Sequence, residues 1–420
     1  MLAGGEVFRK IARSSCVPII AVRMAASNLI IGQSGGCTAV INCTLAGVIE
    51  EAARQPAVGR VLGMRHGIEG LLSGELVDLG RETPETVAAL RTTPSAALGS
   101  CRFKPNDHQL TQVLAILREH NVRYFLYVGG NDSADTSARL AALADHAGQD
   151  LVVVGLPKTI DNDLPEMDHC PGYGSAARFL AIATREAGLD TEAMRHVDPV
   201  KLIEVMGRDA GWLAAACALA TRDEADAPQL VYVPEIGLEP DLFLADVQRV
   251  YERLGYVVAV VPERIARPGG QPLGSGEPTF VDAFGHAYFE SPVVYLAREV
   301  QRAFGLRARF DKPGTLQRMS IPLASSTDQE EAYVLGQAGV RQAVKGATGQ
   351  MVTLLREPGP GYACRTGLAP LGAVANGVRT LPRDFLDAAG TFISPAFRSY
   401  ALPLVGAPLP EYARLAQHPA

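Results

Sequence analysis

The sequence predicts an α/β fold of two lobes, each built on a mostly parallel sheet, with an active-site cleft between them. Three observations carry that expectation. Four short apolar runs each end in a turn rich in glycine or charge, three of those turns lead into helix-like sequence, and the intervals between runs are long enough for crossover helices. With 420 residues, 47% of them apolar and 20% charged, the chain can bury two or three domain-sized cores and is not a disordered polymer.

The first run, Asn28–Gly32, turns at Gln33-Ser34-Gly35-Gly36 and precedes a helical stretch over Thr38–Ala53. The second, Arg123–Val128, turns at Gly129-Gly130-Asn131-Asp132-Ser133, ahead of helical Asp135–Ala144. The third, Leu151–Leu156, opens onto Pro157-Lys158-Thr159-Ile160-Asp161-Asn162-Asp163. The fourth, Lys201–Val205, passes through Met206-Gly207-Arg208-Asp209-Ala210-Gly211 into helical Trp212–Ala220. Unbroken apolar runs mark strands covered on both faces, and ligands of such sheets sit beyond the strands' carboxyl ends. A later strand, Val257–Val261, stops at Pro262-Glu263. A loop-rich Arg267–Pro278 follows, then a helix over Tyr288–Phe304, the segment Arg309–Arg318, a helix over Glu330–Lys345 and a strand over Gln350–Leu355. No repeat of about 20–50 residues and no low-complexity linker is visible, so two intertwined Rossmann-like lobes are expected rather than beads on a string.

The formal charge of −6 implies no broad basic surface, which argues against nucleic acid as a partner. No apolar run approaches the roughly 18 residues of a membrane span. Seven cysteines without a Cys-x-x-Cys pair argue against a disulfide framework or zinc site and fit a reducing cytoplasm. Only six of 39 basic residues are lysines, so the place of each is informative. Residues 1–26 are basic, with no acid after Glu6. They read as a transit peptide or, preferably, as an upstream start with Met24 opening the chain before the first strand.

Glycine at a strand end lets backbone N–H groups approach a phosphate, although many such turns are merely tight connections. Lys158–Asp163 is sharper. It sets a cation and two carboxylates, Asp161 and Asp163, on one loop. Phosphoryl transfer needs that set: one carboxylate for the attacking hydroxyl's proton, another for a magnesium ion, and a cation for charge on the transferred group. The competing structural reading is an Asx-turn network in which Asp161 and Asn162 satisfy loop amides. The fork of Arg208 suits phosphate, or else a surface ion pair with Asp209. Arg309 and Arg318 are similar, with Lys312 between them. Trp212 reads as core and Cys37, Cys43, Cys170 and Cys217 as small buried apolars, while His66 and His169 lie near turns and receive no role.

Together, Gly129–Ser133, Pro157–Asp163 and Met206–Trp212 resemble the phosphofructokinase family, from about Asn28 to Leu355. The resemblance implies the two-lobed fold of that family, with 27–172 plus about 317–365 as the phosphoryl-donor lobe and 173–316 plus about 366–420 as the sugar-phosphate lobe. It implies Asp161 as the base for the sugar 1-hydroxyl, with Lys158 and Asp132 also at the chemistry. Fructose 6-phosphate contacts are implied at Thr159, Ile160, Asp161, Met206, Gly207, Arg208, Glu263, Arg309, Thr315 and Arg318. Donor contacts are implied at Gly36, Arg102, Gly130 and Ser133, and magnesium at Asn131 and Asp163. The resemblance also implies a homodimer or homotetramer, because Arg309 matches a residue that acts across a subunit interface.

Two positions point to the donor. ATP-using relatives carry Gly-Gly-Asp-Gly at 129–132 and Gly at 158, whereas pyrophosphate-using relatives resemble this chain at both places. Asp132 would stand where a nucleotide's α-phosphate sits. Like charges about 4 Å apart repel by about 1 kcal/mol in water and about 4 at an effective dielectric of 20. Pyrophosphate has no α-phosphate to repel. The expected activity is thus reversible transfer from pyrophosphate to fructose 6-phosphate, in glycolysis and gluconeogenesis. An ATP-dependent enzyme, a nicotinamide-nucleotide or lipid kinase and a non-catalytic sugar-phosphate sensor are the alternatives. Departures from the family pattern are Asn131 for Asp, Arg264 for Gly, Thr315 for His or Tyr, and Pro199 where a cross-subunit Arg is usual, with Lys201 or Arg195 as substitutes.

Overall fold

The computed structural model describes residues 26–415 apart from 272, 274–276, 279, 282–286, 289 and 376. The transit-peptide or upstream-start reading of the amino terminus therefore lies outside the described residues, as does part of the loop-rich 267–278. One sheet holds β1 (Ser27–Gln33), β2 (Val58–Met64), β3 (Leu76–Asp78), β4 (Val122–Gly129), β5 (Val152–Pro157), β12 (Gln350–Arg356) and β13 (Cys364–Pro370). Its order is β13-β12-β5-β4-β1-β2-β3, parallel except for the outer pairs β12–β13 and β2–β3. A second, fully parallel sheet holds β6 (Val200–Val205), β7 (Leu230–Val231), β8 (Val257–Pro262) and β11 (Ala308–Asp311) in the order β11-β6-β8-β7. A separate antiparallel ribbon pairs β9 (Phe280–Val281) with β10 (Ala287–Tyr288).

Alternation along each strand explains the layers. Leu29 and Ile31 of β1 face the helices Ile41–Arg54 and Ser326–Val344, while Ile30 faces a cluster with Phe125, Leu117 and Leu140. In the second sheet Val258 and Val260 pack on Trp212–Ala220 and the helix Tyr173–Ala193, and Val257, Ala259 and Val261 on Phe243, Val247 and Leu296. Both faces of each sheet are covered, as unbroken apolar strands require. β1 lies between β2 and β4, so the crossovers leave it in opposite directions. The crevice this opens lies at the carboxyl ends of β1 and β4, where Gly35-Gly36 and Gly129-Gly130 stand.

Several boundaries move, each for a local reason. Gly130 takes the N-cap position, so the helix spans Asn131–His146 and starts before Asp135, putting Asn131, Asp132 and Ser133 in its first turn. Ser325 caps Ser326–Val344 by accepting from Asp328 N (3.3 Å), which starts that helix before Glu330. Proline at the first helical position starts Pro292–Phe304 after Tyr288. The first helix begins at Ile41, not Thr38, and Trp212–Ala220 is α-helical to Ala216 and 3₁₀ thereafter. β13 continues to Pro370 and the helix Leu371–Ala375 packs on the first sheet, so the chain returns to the second lobe after Ala375 and not at about 365.

Two helices set the depth of the first lobe. Ile41–Arg54 and Ser326–Val344 meet backbone to backbone: a Cβ on Gly47 would lie 2.1 Å from the Tyr333 carbonyl oxygen, and one on Gly336 2.1 Å from that of Thr44. Neither neighbour can rotate away. Gly47→Ala or Gly336→Ala should force the helices apart and cost about 1–3 kcal/mol or more, read as a lower urea midpoint at unchanged slope.

Candidate active site

A cavity of about 360 Å³ opens between the lobes. Among its lining residues are Gly36, Arg102, Gly130, Asn131, Asp132, Ser133, Lys158, Thr159, Ile160, Asp161, Asp163, Met206, Arg208, Glu263 and Arg318. Backbone hydrogen bonds tie the loops to the strand ends. Lys158 N donates to Gly129 O (3.0 Å), Ser34 N to Val128 O (2.9 Å) and Glu263 N to Val205 O (2.7 Å). Ser34 and Ser133 join their hydroxyls across the floor.

Lys158 is buried, and its ammonium donates to the Gly36 carbonyl at 2.7 Å. A Cβ on Gly36 would lie 2.6 Å from Arg318 Nη1, so any larger residue there would have to displace the end of that side chain. Burial pulls the Lys158 pKa down to about 8; Arg318 and Arg102 push the same way, and Cys37 and Asp161 oppose them. Asp161 goes the other way, up to about 7. Burial contributes most, then the charges of Asp163 and Glu263, against Arg208 and Lys158. Burial raises Asp163 and Glu263 as well.

The loop that presents the two aspartates has a special backbone. Thr159 Oγ1 accepts from Asp161 N (3.1 Å), and Asn162 adopts a left-handed φ of 56°. Asn162 is fully buried; its Oδ1 accepts from Cys170 N (2.9 Å) and its Nδ2 donates to the Tyr400 hydroxyl (3.0 Å). No described hydrogen bond of Asn162 makes an Asx-turn; its side chain instead reaches Cys170 and Tyr400, while Asp161 and Asp163 line the cavity. Asp209 pairs with Arg264 (3.2 Å) rather than Arg208, which lines the cavity.

Arg208 and Glu263 also line an adjacent cavity of about 410 Å³ with Arg264 and Lys312, two residues given no site role from sequence. Gly207 holds the turn between Met206 and Arg208 at φ 108°. Arg309 and Thr315 line neither cavity. Arg309 is half exposed on β11 and donates to Asp198 (2.6 Å), beside Pro199. Lys201 is buried and pairs with Asp311 (2.9 Å). Sequence reasoning missed Gln317, whose Oε1 accepts from Met206 N (3.1 Å), and the carboxyl-terminal segment: Val378 lines the cavity and Tyr400 and Arg379 brace it from behind. His169, Glu331 and Cys364 also converge, but both His169 nitrogens are taken by Asp168 (2.9 Å) and Glu331 (2.7 Å).

Residues 28–342 match the phosphofructokinase family model. The chain belongs to the phosphofructokinase family. It is 42% identical to a pyrophosphate–fructose 6-phosphate 1-phosphotransferase of Xanthomonas campestris, over 91% of this chain and 92% of the relative. A protein of the same name from Halomonas elongata is 39% identical over 94% and 97%. The solved structure of a pyrophosphate-dependent phosphofructokinase from Nitrosospira multiformis superimposes with a TM-score of 0.84 at 38% identity, over 93% of this chain and 94% of that one.

The opposed shifts of Asp161 and Lys158 set a pH window. A basic Asp161 needs pH above about 7 and a charged Lys158 needs pH below about 8. kcat/KM for sugar phosphorylation should therefore be bell-shaped with limbs near those values, read from initial rates across pH 5–10. Stability should answer to Asp161 too. Below its ordinary 3.8 the carboxyl is protonated both folded and unfolded; between there and about 7 only the fold holds the proton, so stability falls as pH rises. Asp161→Asn should raise the melting temperature at pH 8 and leave it nearly unchanged at pH 3.5.

Proposed function

We propose that this enzyme moves a phosphoryl group reversibly between pyrophosphate and the 1-hydroxyl of fructose 6-phosphate. The forward products are fructose 1,6-bisphosphate and phosphate, the two directions serving glycolysis and gluconeogenesis. The observation that carries the reading is the buried Lys158, anchored on Gly36 and sharing one cavity with Asp132 and Asp161.

Asp161 takes the proton of the sugar hydroxyl as its oxygen attacks the terminal phosphorus of pyrophosphate. The bridging P–O bond breaks and phosphate leaves. A pKa near 7 gives Asp161 more basicity than an ordinary carboxylate while leaving it largely ionised in mild alkali. Lys158, anchored on Gly36, meets charge on the donor. Arg208, with Lys312 and Arg264 in the adjacent cavity, offers cations for the sugar's own phosphate. Asp132 repels the α-phosphate of a nucleotide, so the ATP-dependent alternative is not favoured.

The site also fits magnesium. Asn131 Oδ1 is buried without a partner, and the carboxylates of Asp132, Asp161 and Asp163 line the same cavity, a set of hard oxygen ligands. Bound there by Asn131 and Asp163, the ion would neutralise phosphate charge. A homodimer or homotetramer and a cytoplasmic location belong to the same reading. The six described cysteines are free, which fits a reducing compartment, and no described helix is long and apolar enough to cross a membrane.

Asp132→Gly should admit ATP and lower turnover with pyrophosphate; equal use of both donors by the unaltered protein would sink the donor assignment. Asp161→Asn should lose about 10²–10⁴-fold in kcat with the fold intact, and a loss under about tenfold would assign the proton to another group. Arg309→Ala should raise KM for fructose 6-phosphate roughly 10- to 150-fold, the scale of one charge-assisted hydrogen bond, and spare KM for pyrophosphate. Sugar kinetics unchanged by that substitution would remove Arg309 from the interface.

A further inference from the structure

The carboxyl-terminal segment places one arginine between the loop of Asp161 and Asp163 and Trp212, which follows the Met206–Gly211 turn. Arg379 Nε and Nη2 donate to the Asn162 carbonyl at 3.1 and 2.8 Å. Its Nη1 donates to Met167 O at 2.9 Å and also reaches Asp168 O. Its backbone N–H donates to Asp163 O at 2.7 Å. Every donor of the fork that reaches this loop finds a carbonyl, in a geometry that a lysine's point charge cannot copy. On its other side the guanidinium lies 4.5 Å from the centre of the Trp212 ring, and Arg379 O accepts from Trp212 Nε1 at 3.0 Å. Trp212 follows Met206–Gly211 directly and is the chain's one tryptophan.

We propose that Arg379 is a positioning residue for catalysis: it fixes the peptide between Asp161 and Asp163 and locks that loop to Trp212, behind the sugar-phosphate loop. The inference rests on the reading of Asp161 as the proton acceptor. Asn162 holds a left-handed backbone that an L-residue adopts at a cost. Its side chain is anchored on Cys170 and Tyr400, but the direction in which the neighbouring carboxylates emerge depends on its carbonyl, and Arg379 grips that carbonyl twice. Val378, the preceding residue, lines the cavity, so the clamp and the cavity wall move as one piece.

The experiment compares Arg379→Gln and Arg379→Lys with the unaltered enzyme, in steady-state kinetics and in tryptophan emission. Arg379→Gln should lose about 10–100-fold in kcat, the scale of a misplaced catalytic group, with KM for pyrophosphate little changed. Trp212 emission should shift to the red as the ring hydrates. Arg379→Lys keeps the charge and loses the fork, so kcat should stay low and the red shift should persist. A wild-type kcat in either variant, or a loss of kcat matched by the loss of folded protein, would overturn the proposal. If Arg379→Gln does not fold, Arg379→Lys decides by kcat and emission alone. Full activity in Asp161→Asn would instead overturn the proton-acceptor reading.

Discussion

The site is organised around two half-buried carboxylates on one loop. Asp161 and Asp163 line the cavity near a third half-buried acid, Glu263, and loss of solvent raises all three. Cations do not cancel the effect at Asp161. Lys158 and Arg208 pull its pKa down, yet it stays near 7 because burial and like charge win. Such a loop would rearrange or flood if it were free, so the surrounding structure has to hold it. The anchoring of Asn162 on Cys170, Tyr400 and Arg379 follows from that need.

Holding is done by parts distant in sequence. β1, β4 and β5 bring three turns to one edge, and β6 and β8 bring Met206 and Glu263 from the other lobe. The lobes are joined where the helix Tyr173–Ala193 begins. There buried Asp328 accepts from Gly172 N and Ser175 N, both at 2.9 Å, and so caps a helix far from it in sequence. Asp328 belongs to the helix that packs on Gly47, so the first helix, the lobe junction and the cavity loop are mechanically continuous. Asp168 extends the brace: its carboxylate holds Arg356 at 3.1 Å and His169 at 2.9 Å, and its carbonyl accepts from Tyr400 at 2.7 Å. Burial alone would lower the His169 pKa, but hydrogen bonds to Asp168 and Glu331 raise it to about 8, so this internal ion network persists at neutral pH.

What was legible in the sequence had a local cause. A strand followed by glycine and charge is written in consecutive residues, so β1, β4, β5 and β6 and the cavity residues from Gly36 to Arg208 could be read in place. Helix starts shifted where the cap was not visible, as at Gly130 and Ser325. Arg379, Tyr400, Gln317 and Asp328 were not legible, because each acts on a partner more than a hundred residues away and its own neighbourhood carries no pattern. The same holds for the pairing of Arg309 with Asp198 and of Lys201 with Asp311: an arginine or lysine on a strand does not announce its acid.

The earlier start of the helix Asn131–His146 bears on donor choice in the proposed reaction. In a loop, Asp132 could turn away as a nucleotide approached. In the first turn of a helix its backbone is fixed. The helix therefore holds the residue in place against the repulsion of about 4 kcal/mol that like charges about 4 Å apart would meet at an effective dielectric of 20. On the facing loop, Lys158 supplies the opposite charge beside Gly36, where a smaller anion can meet it. In the proposed reaction, rejection of a longer phosphate chain and attraction of a short one would thus come from two residues that follow different strands, brought to one cavity by the order of β1, β4 and β5.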